Sequence, residues 1–297
     1  MGYDDFINDV LNHLEKYKIE VLGIEEKGVY KYKGEDIPKG HILPLDSSLS
    51  PIEAKKQVVK EFNQLNCIKE QPFLIEGNLH RYAHHLNSSQ LMCYNFFRPY
   101  IKEKGGIYSP TQDLVNLLCY HGIKFSLSDN AKCQFEYVNQ EREWTDEDTN
   151  FDFYIESGGK RIYFEIKFTE KSFGNCENDK YHKDKFEGKY KDFKGGYKEK
   201  IKKCPAIKEE KRNIEFDGDF CKNYQLFRNV IRVTTPDIFS VFVFDGRNDN
   251  ISKQFESFKK NYISEDYKKN VIAITWQKIV ENLKSCHSEQ FHKKYLK

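Results

Sequence analysis

The stretch Phe151–Phe168, FDFYIESGGKRIYFEIKF, constrains the fold of this chain more than any other. Gly158 and Gly159 stand between two runs rich in β-branched and aromatic residues. A Gly-Gly pair in that position reads as the two-residue turn of a β-hairpin. Counting outward from the turn sets the register. Ser157 faces Lys160, Glu156 faces Arg161, Ile155 faces Ile162, Tyr154 faces Tyr163, Phe153 faces Phe164 and Asp152 faces Glu165. Side chains alternate across a strand. One face then holds Phe151, Phe153, Ile155, Ile162, Phe164, Ile166 and Phe168, and needs apolar cover, most simply from helices. The other holds Asp152, Tyr154, Glu156, Arg161, Tyr163, Glu165 and Lys167.

On that second face, Glu156 with Arg161 is an opposite-charge pair and Tyr154 with Tyr163 an aromatic pair. Asp152 opposite Glu165 fits neither pattern. It sets two carboxylates across a strand pair with Cβ atoms roughly 5 Å apart. At an effective dielectric near 20 their repulsion is about 3 kcal/mol, a large fraction of a domain's stability. A divalent cation between the oxygens relieves it. Lys167 adds a third charge two residues along the same face. A hard cation on two carboxylates, with a lysine beside it, is what phosphodiester hydrolysis needs. The cation acidifies water and offsets transition-state charge. The lysine orients or deprotonates that water, or neutralises developing charge. The backbone carbonyl of Ile166 is a further candidate metal ligand. The plainer alternative is a solvent-facing strand side on which Lys167 pairs with Glu165.

Around this hairpin the chain reads as helices followed by alternating elements. Residues 19–33 alternate as a hairpin would. Ser50-Pro51-Ile52-Glu53 is a helix start with a capping box, and Val58, Val59, Phe62 and Leu65 follow at helical spacing. Leu86 to about Lys102 reads as a second helix, stopped by Gly105-Gly106. Ser109-Pro110-Thr111-Gln112 repeats the cap pattern before Leu114, Leu117, Leu118 and His121. Strands are expected at 133–138, 151–156 and 161–168, then a basic stretch at 171–212. A helix over 221–233, a strand over 239–244, a helix near 252–262, a strand over 271–276 and a polar tail follow. That order predicts an α/β (α+β) fold with a mixed sheet flanked by helices and a mostly helical N-terminal region. The expected division is 1–80 and 81–297, the second part carrying the basic insertion.

Composition narrows the class further. The 297 residues carry 48 basic and 46 acidic side chains and 15% aromatics. No run approaches the ~20 apolar residues of a membrane-spanning helix, and MGYDDFINDV lacks the basic start of a secretory signal. The expected location is cytoplasmic. No two of the eight cysteines show CxxC spacing, so reduced thiols filling the core are the simplest reading.

Phe151-Asp152-Phe153, a short turn and Glu165-Ile166-Lys167 resemble the D…ExK signature of the PD-(D/E)XK nuclease superfamily. The context extends the match. LHRYAHHLNSSQLMCYNFFR ending at Arg98, Phe135-Glu136-Tyr137, TNFDFYI, YFEIKFTE with Phe173-Gly174, and NYQLFRN at 223–229 together resemble a group of predicted bacterial restriction endonucleases. The resemblance covers about 80–245. It implies a restriction-endonuclease-like core and Mg²⁺-dependent DNA cleavage, with Mn²⁺ able to substitute. It carries Asp152 and Glu165 over as metal ligands and Lys167 as the catalytic lysine. Phe151 stands where many members have proline. Glu136, on the neighbouring strand, and Gln90, on a helix, are further candidates for the catalytic shell.

Gln225 and Arg228 lie three apart on one helix face, able to line the site or to contact phosphate. His80, His84 and His85 have a spacing that suits a metal, though a structural or DNA-facing role is the commoner use. From Asn178 to Arg212 the net charge is +6, with Lys183, Lys185 and Lys189 among interleaved aromatics. Such a stretch suits phosphate contacts, or is simply a solvated lysine-rich surface. Phe135 to Glu156 instead carries −7. The expected partner is double-stranded DNA, bound by a homodimer, with a DNA methyltransferase encoded nearby. Two alternatives are a structure-specific repair or recombination nuclease and an inactive DNA-binding module of the same fold.

Overall fold

The computed structural model describes residues 2–138, 150–174, 197–213, 218–281, 283 and 285–296. The chain forms two compact units. The first comprises Met1–Ile101, Asp245–Asn248 and Thr275–Lys297, and the second Lys102–Phe244 and Asp249–Ile274. The expected boundary near residue 80 falls inside the first unit.

The first unit opens with a helix, Tyr3–Glu20, whose buried residues Phe6, Val10, Leu14 and Lys18 recur every fourth position. The expected hairpin over 19–33 is displaced by it. Ile19 and Glu20 end the helix, and the hairpin is β1 (Gly28–Tyr32) paired with β2 (Glu35–Lys39). Its turn uses Lys33 and Gly34 at φ +49° and +86°. The capping box at Ser50 forms as expected, with Ser50 Oγ accepting from Glu53 N and the Glu53 carboxylate accepting from Ser50 N. The helix from Leu86 is shorter than its apolar run suggests. It spans Ser89–Phe97 and is buried throughout apart from Ser89. Pro99 lies in the single 3₁₀ turn Arg98–Tyr100 that follows. The terminal segment is not a polar tail. It holds the helices Trp276–Glu281 and Cys286–Tyr295. Trp276 and Phe291 pack 5.2 Å apart, and each contacts Phe96.

This unit buries several histidines. His84 and His85 stack edge to face at 4.5 Å, and His41 lies 6.2 Å from His85. Burial first, then neighbouring positive charge, pushes His41 and His84 down to about 4 and His85 to about 3. Burial likewise lowers His287 to about 4, against the opposing pull of its bond to Phe96. An unfolded histidine titrates near 6.5. Between that value and about 4 the unfolded chain binds more protons, so stability falls as the pH falls through this window. Each histidine contributes at most about 1.4 kcal/mol per pH unit. The urea midpoint is expected to drop steadily from pH 6.5 to 4, and His84→Gln to flatten that slope. An unchanged slope would show that His84 protonates in the folded state.

The second unit starts with a hairpin where the apolar pattern predicts the end of a helix. β3 (Ile101–Lys104) and β4 (Ile107–Pro110) flank Gly105 and Gly106, which have φ +61° and +79°. The glycines turn the chain instead of stopping a helix. The next helix, Gln112–Tyr120, is capped by Thr111, whose hydroxyl accepts from Leu114 N, and not by Ser109.

The main sheet has the order β5-β6-β7-β8-β9: Lys132–Val138, Asn150–Ser157, Lys160–Ile166, Ile238–Phe244 and Val271–Thr275. β5, β6 and β7 are antiparallel neighbours, and β8 runs parallel to β7. The register around Gly158-Gly159 is the one counted from the sequence, from Ser157↔Lys160 to Phe153↔Phe164. Both glycines have positive φ, +58° and +76°. A Cβ on Gly158 would meet Ser126 Oγ at 3.2 Å. Gly158→Ala is therefore expected to cost about 1–2 kcal/mol, the price of a left-handed L-residue. A shift in the urea midpoint reads it.

Both faces of the hairpin are buried. Phe153, Ile155, Ile162, Phe164 and Ile166 lie on one side. Tyr154 and Tyr163 join a core made with the helices Tyr224–Val230 and Asp249–Tyr262. The expected helix over 221–233 is two short ones, Gly218–Lys222 and Tyr224–Val230. Phe151 departs from the counted faces. Its ring lies 4.6 Å from Tyr163, and Tyr137, its partner on β5, stacks on Tyr154 at 4.0 Å. The regular alternation breaks at the intervening pair, Glu136 and Asp152. Glu136 has φ +47°, and the Asp152 carboxylate itself accepts the Ile166 N–H.

Candidate active site

The same break builds the candidate site. In the β5–β6 register Glu136 falls opposite Asp152, between the pairs Phe135↔Phe153 and Tyr137↔Phe151. Continuing the β6–β7 register sets Asp152 opposite Glu165. Three carboxylates thus occupy adjacent strands at one level of the sheet. Asp152 Oδ2 is fixed by the Ile166 N–H at 2.6 Å. Burial, then the charges of Glu165 and Glu136, push its carboxyl well above the usual range, against the opposing pull of Lys167 and the Ile166 N–H.

Glu165 is nearly enclosed and multiply held. Oε1 is 2.9 Å from Lys167 Nζ, while Oε2 accepts from Asn229 Nδ2 at 2.9 Å and from Arg228 Nη2 at 3.4 Å. Burial opposes its ionisation. Lys167 and Arg228 outweigh that and hold the carboxyl below its ordinary value. Burial likewise disfavours the Lys167 ammonium, but Glu165, Glu170 and Asp152 outweigh it and keep the lysine charged. β7 and β8 position this pair, since the Lys167 N–H donates to the Val243 carbonyl at 2.8 Å.

The structure therefore brings together Asp152, Glu165, Lys167, Glu136, Arg228 and the Ile166 backbone. Gln90 belongs to the first unit. Its amide accepts from His80 N at 2.9 Å and donates to the Asn78 carbonyl at 2.8 Å, so it ties down the 78–80 loop. Lys183, Lys185 and Lys189 lie outside the described residues. Gln225 packs against Gly174, where a Cβ would come within 3.0 Å of its side chain. Gly174 has φ +71°, so the Phe173-Gly174 pair has a structural reason. Asn229 was not singled out from the sequence. Its position four residues after Gln225 puts it on the same helix face, and that was the available signal.

The donor set suits a hard divalent cation. Every candidate ligand is oxygen, and Asp152 beside Glu165 and Glu136 carries a repulsion that such an ion offsets. Asn229 Oδ1 is a buried acceptor with no hydrogen-bond partner among the described residues. No three His, Cys, Asp or Glu side chains form a complete cage among the described residues. A Mg²⁺ site does not require one, since one or two carboxylates with water and substrate phosphate suffice. The same absence holds for His80, His84 and His85. No described helix is long and apolar enough to cross a membrane.

No curated protein and no solved structure matches the chain. A family described as restriction endonuclease associating with ARP matches residues 11–296. That match runs through both units and spans the D…ExK hairpin, and the protein belongs to this restriction endonuclease family.

Proposed function

We propose that the protein is a Mg²⁺-dependent endonuclease that hydrolyses phosphodiester bonds of double-stranded DNA at specific sequences. The observation that carries this reading is the convergence of Asp152, Glu165 and Lys167 where β6 begins and β7 ends, with the carboxylates in electrostatic conflict. Asp152 and Glu165 would hold the cation, with Glu136 and the Ile166 carbonyl as further oxygen donors. When bound, Mg²⁺ supplies Lewis acidity toward the phosphate and lowers the pKa of the attacking water.

The remaining chemistry belongs to the chain. Lys167 is held as an ammonium by its pair with Glu165. This supports charge neutralisation at the phosphate over proton abstraction. Asn229 and Arg228 fix the orientation of Glu165, and the Ile166 N–H fixes Asp152. Cutting both strands of a palindromic site calls for a homodimer. Restriction also calls for a companion DNA methyltransferase to protect the host, encoded nearby.

The test is digestion of unmethylated phage DNA and supercoiled plasmid with Mg²⁺, with Mn²⁺ and with EDTA. Discrete fragments that need the metal are expected, and their ends give the recognition site. Cutting only of branched or flapped substrates would replace sequence recognition with structure recognition. Tight binding without cutting in either metal would make the protein a binding module.

A further inference from the structure

Two thiols in the first unit share one neighbourhood with a histidine, apart from the residues of the candidate site. Cys67 lies in the 3₁₀ turn Asn66–Ile68, and Cys286 is the first residue of the helix Cys286–Tyr295. Both are exposed, free cysteines. Cys67 Sγ is 3.4 Å from His287 Nδ1. The other ring nitrogen, Nε2, lies 3.2 Å from the Phe96 carbonyl. A carbonyl only accepts, so Nε2 carries the proton and Nδ1 presents its lone pair. The Cys67 thiol therefore donates to Nδ1. Nucleophile, base and a third group that orients the base stand in sequence, the arrangement that activates a thiol.

One side chain connects the two cysteines. Gln290 Oε1 accepts from the Cys67 N–H at 3.4 Å, and Gln290 Nε2 donates to Cys286 Sγ at 3.4 Å. Both atoms belong to one planar amide, so the cysteines border the same small group. Burial, with a contribution from Cys286, pushes the Cys67 thiol up, and burial lowers His287 to about 4, so both partners are held in their neutral forms. At rest the pair is a thiol and a free base, and the proton moves only when an electrophile arrives.

We propose that Cys67 and Cys286 are a redox-active thiol pair, with His287 as the base for Cys67, which closes a disulfide when the protein meets a hydroperoxide. The Cys67 thiol passes its proton to His287 Nδ1, and its sulfur attacks one peroxide oxygen. The O–O bond breaks, the proton goes to the departing alkoxide, and Cys67 becomes a sulfenic acid. The Cys286 sulfur then attacks the Cys67 sulfur. The S–S bond forms, the S–OH bond breaks and water leaves with the Cys286 proton. Two thiols lose two hydrogens, and the peroxide is reduced to alcohol and water. The bond joins the turn after the Pro51–Val58 helix to the C-terminal helix. It does not depend on the nuclease reading.

The test exposes the full-length protein to hydrogen peroxide at neutral pH, traps remaining thiols with N-ethylmaleimide, and maps non-reduced tryptic peptides by mass spectrometry. The expected product is a Cys67–Cys286 linked peptide two hydrogens lighter than its parts. It forms before Cys119, the partly exposed control, is oxidised, and dithiothreitol reverses it. Its formation should raise the melting temperature by roughly 5–10 °C. In Cys286→Ser, dimedone should label Cys67 as the trapped sulfenic acid. His287→Gln should slow iodoacetamide alkylation of Cys67 by about tenfold. If that variant fails to fold, the Cys286→Ser result still decides. Oxidation of Cys67 no faster than Cys119, or a linked peptide through another cysteine, would overturn the proposal.

Discussion

Glu165→Gln is expected to lower DNA cleavage by roughly a thousandfold, a loss typical of removing one key electrostatic group from an active site. The substitution keeps the side-chain shape and an acceptor for Asn229 Nδ2, which now holds Glu165 at 2.9 Å. It removes the charge that would hold the cation and that keeps Lys167 an ammonium. DNA binding in EDTA and the circular dichroism spectrum should stay near wild type. Glu165→Ala is a poorer test, because the structure gives it a second consequence. Lys167 and Arg228 would face each other with no carboxylate between them, in a site where Glu165 is 5% exposed. Removing one partner of a buried ion pair costs about 3–5 kcal/mol. A folded Glu165→Gln protein that still cuts at the wild-type rate would remove Glu165 from the active centre.

Asp152→Asn is expected to stabilise the metal-free protein and to abolish its response to Mg²⁺. In the wild type, burial and the two neighbouring carboxylates raise the Asp152 pKa well above the usual range. A carboxyl whose folded-state pKa exceeds its unfolded value loses stability as the pH rises and it ionises. Asparagine avoids that cost and its Oδ1 still accepts from Ile166 N, so a gain of order 1–3 kcal/mol is expected at neutral pH. Mg²⁺ at a hundred times its dissociation constant contributes about 2.7 kcal/mol to the wild type, or roughly 5–10 °C in melting temperature. Thermal melts of both proteins, with and without Mg²⁺, read both effects at once. An equal Mg²⁺ shift in the two would place the cation elsewhere. A lower melting temperature for metal-free Asp152→Asn would show that the Asp152 charge is favourable where it stands.

The hairpin at 150–166 was legible because its information is local. A period of two and a Gly-Gly turn define strands, turn and register together, and the structure has that register. The same turn chemistry was present at Gly105-Gly106, yet the apolar run through Phe96 and Phe97 suggested a helix carrying on to Lys102. The helix stops at Phe97. The Arg98 guanidinium then donates to the Pro72 and Ile101 carbonyls across that break. The first helix, expected only as part of a mostly helical N-terminal region, buries every fourth residue from Phe6 to Lys18. Its fourth core position, however, is a lysine whose buried ammonium donates to the Glu26 and Ile42 carbonyls. The terminal helix hid behind its polar composition. It buries the aromatic Phe291 and Tyr295, four apart, together with the polar His287, Ser288 and Lys294.

By itself, the sequence determined which groups sit on adjacent strands: Asp152, Glu165 and Lys167 follow from alternation and one turn. Only the tertiary structure decided how they are charged and held. Arg228 and Asn229 come to Glu165 from 63 and 64 residues away, and β5 brings Glu136 opposite Asp152. Two neighbouring carboxylates are thereby driven in opposite directions, Glu165 down and Asp152 up. The physical reason is that strand alternation is set by bonded geometry within a few residues. A pKa is set by burial and by every charge within reach in space, including those the chain supplies from distant positions.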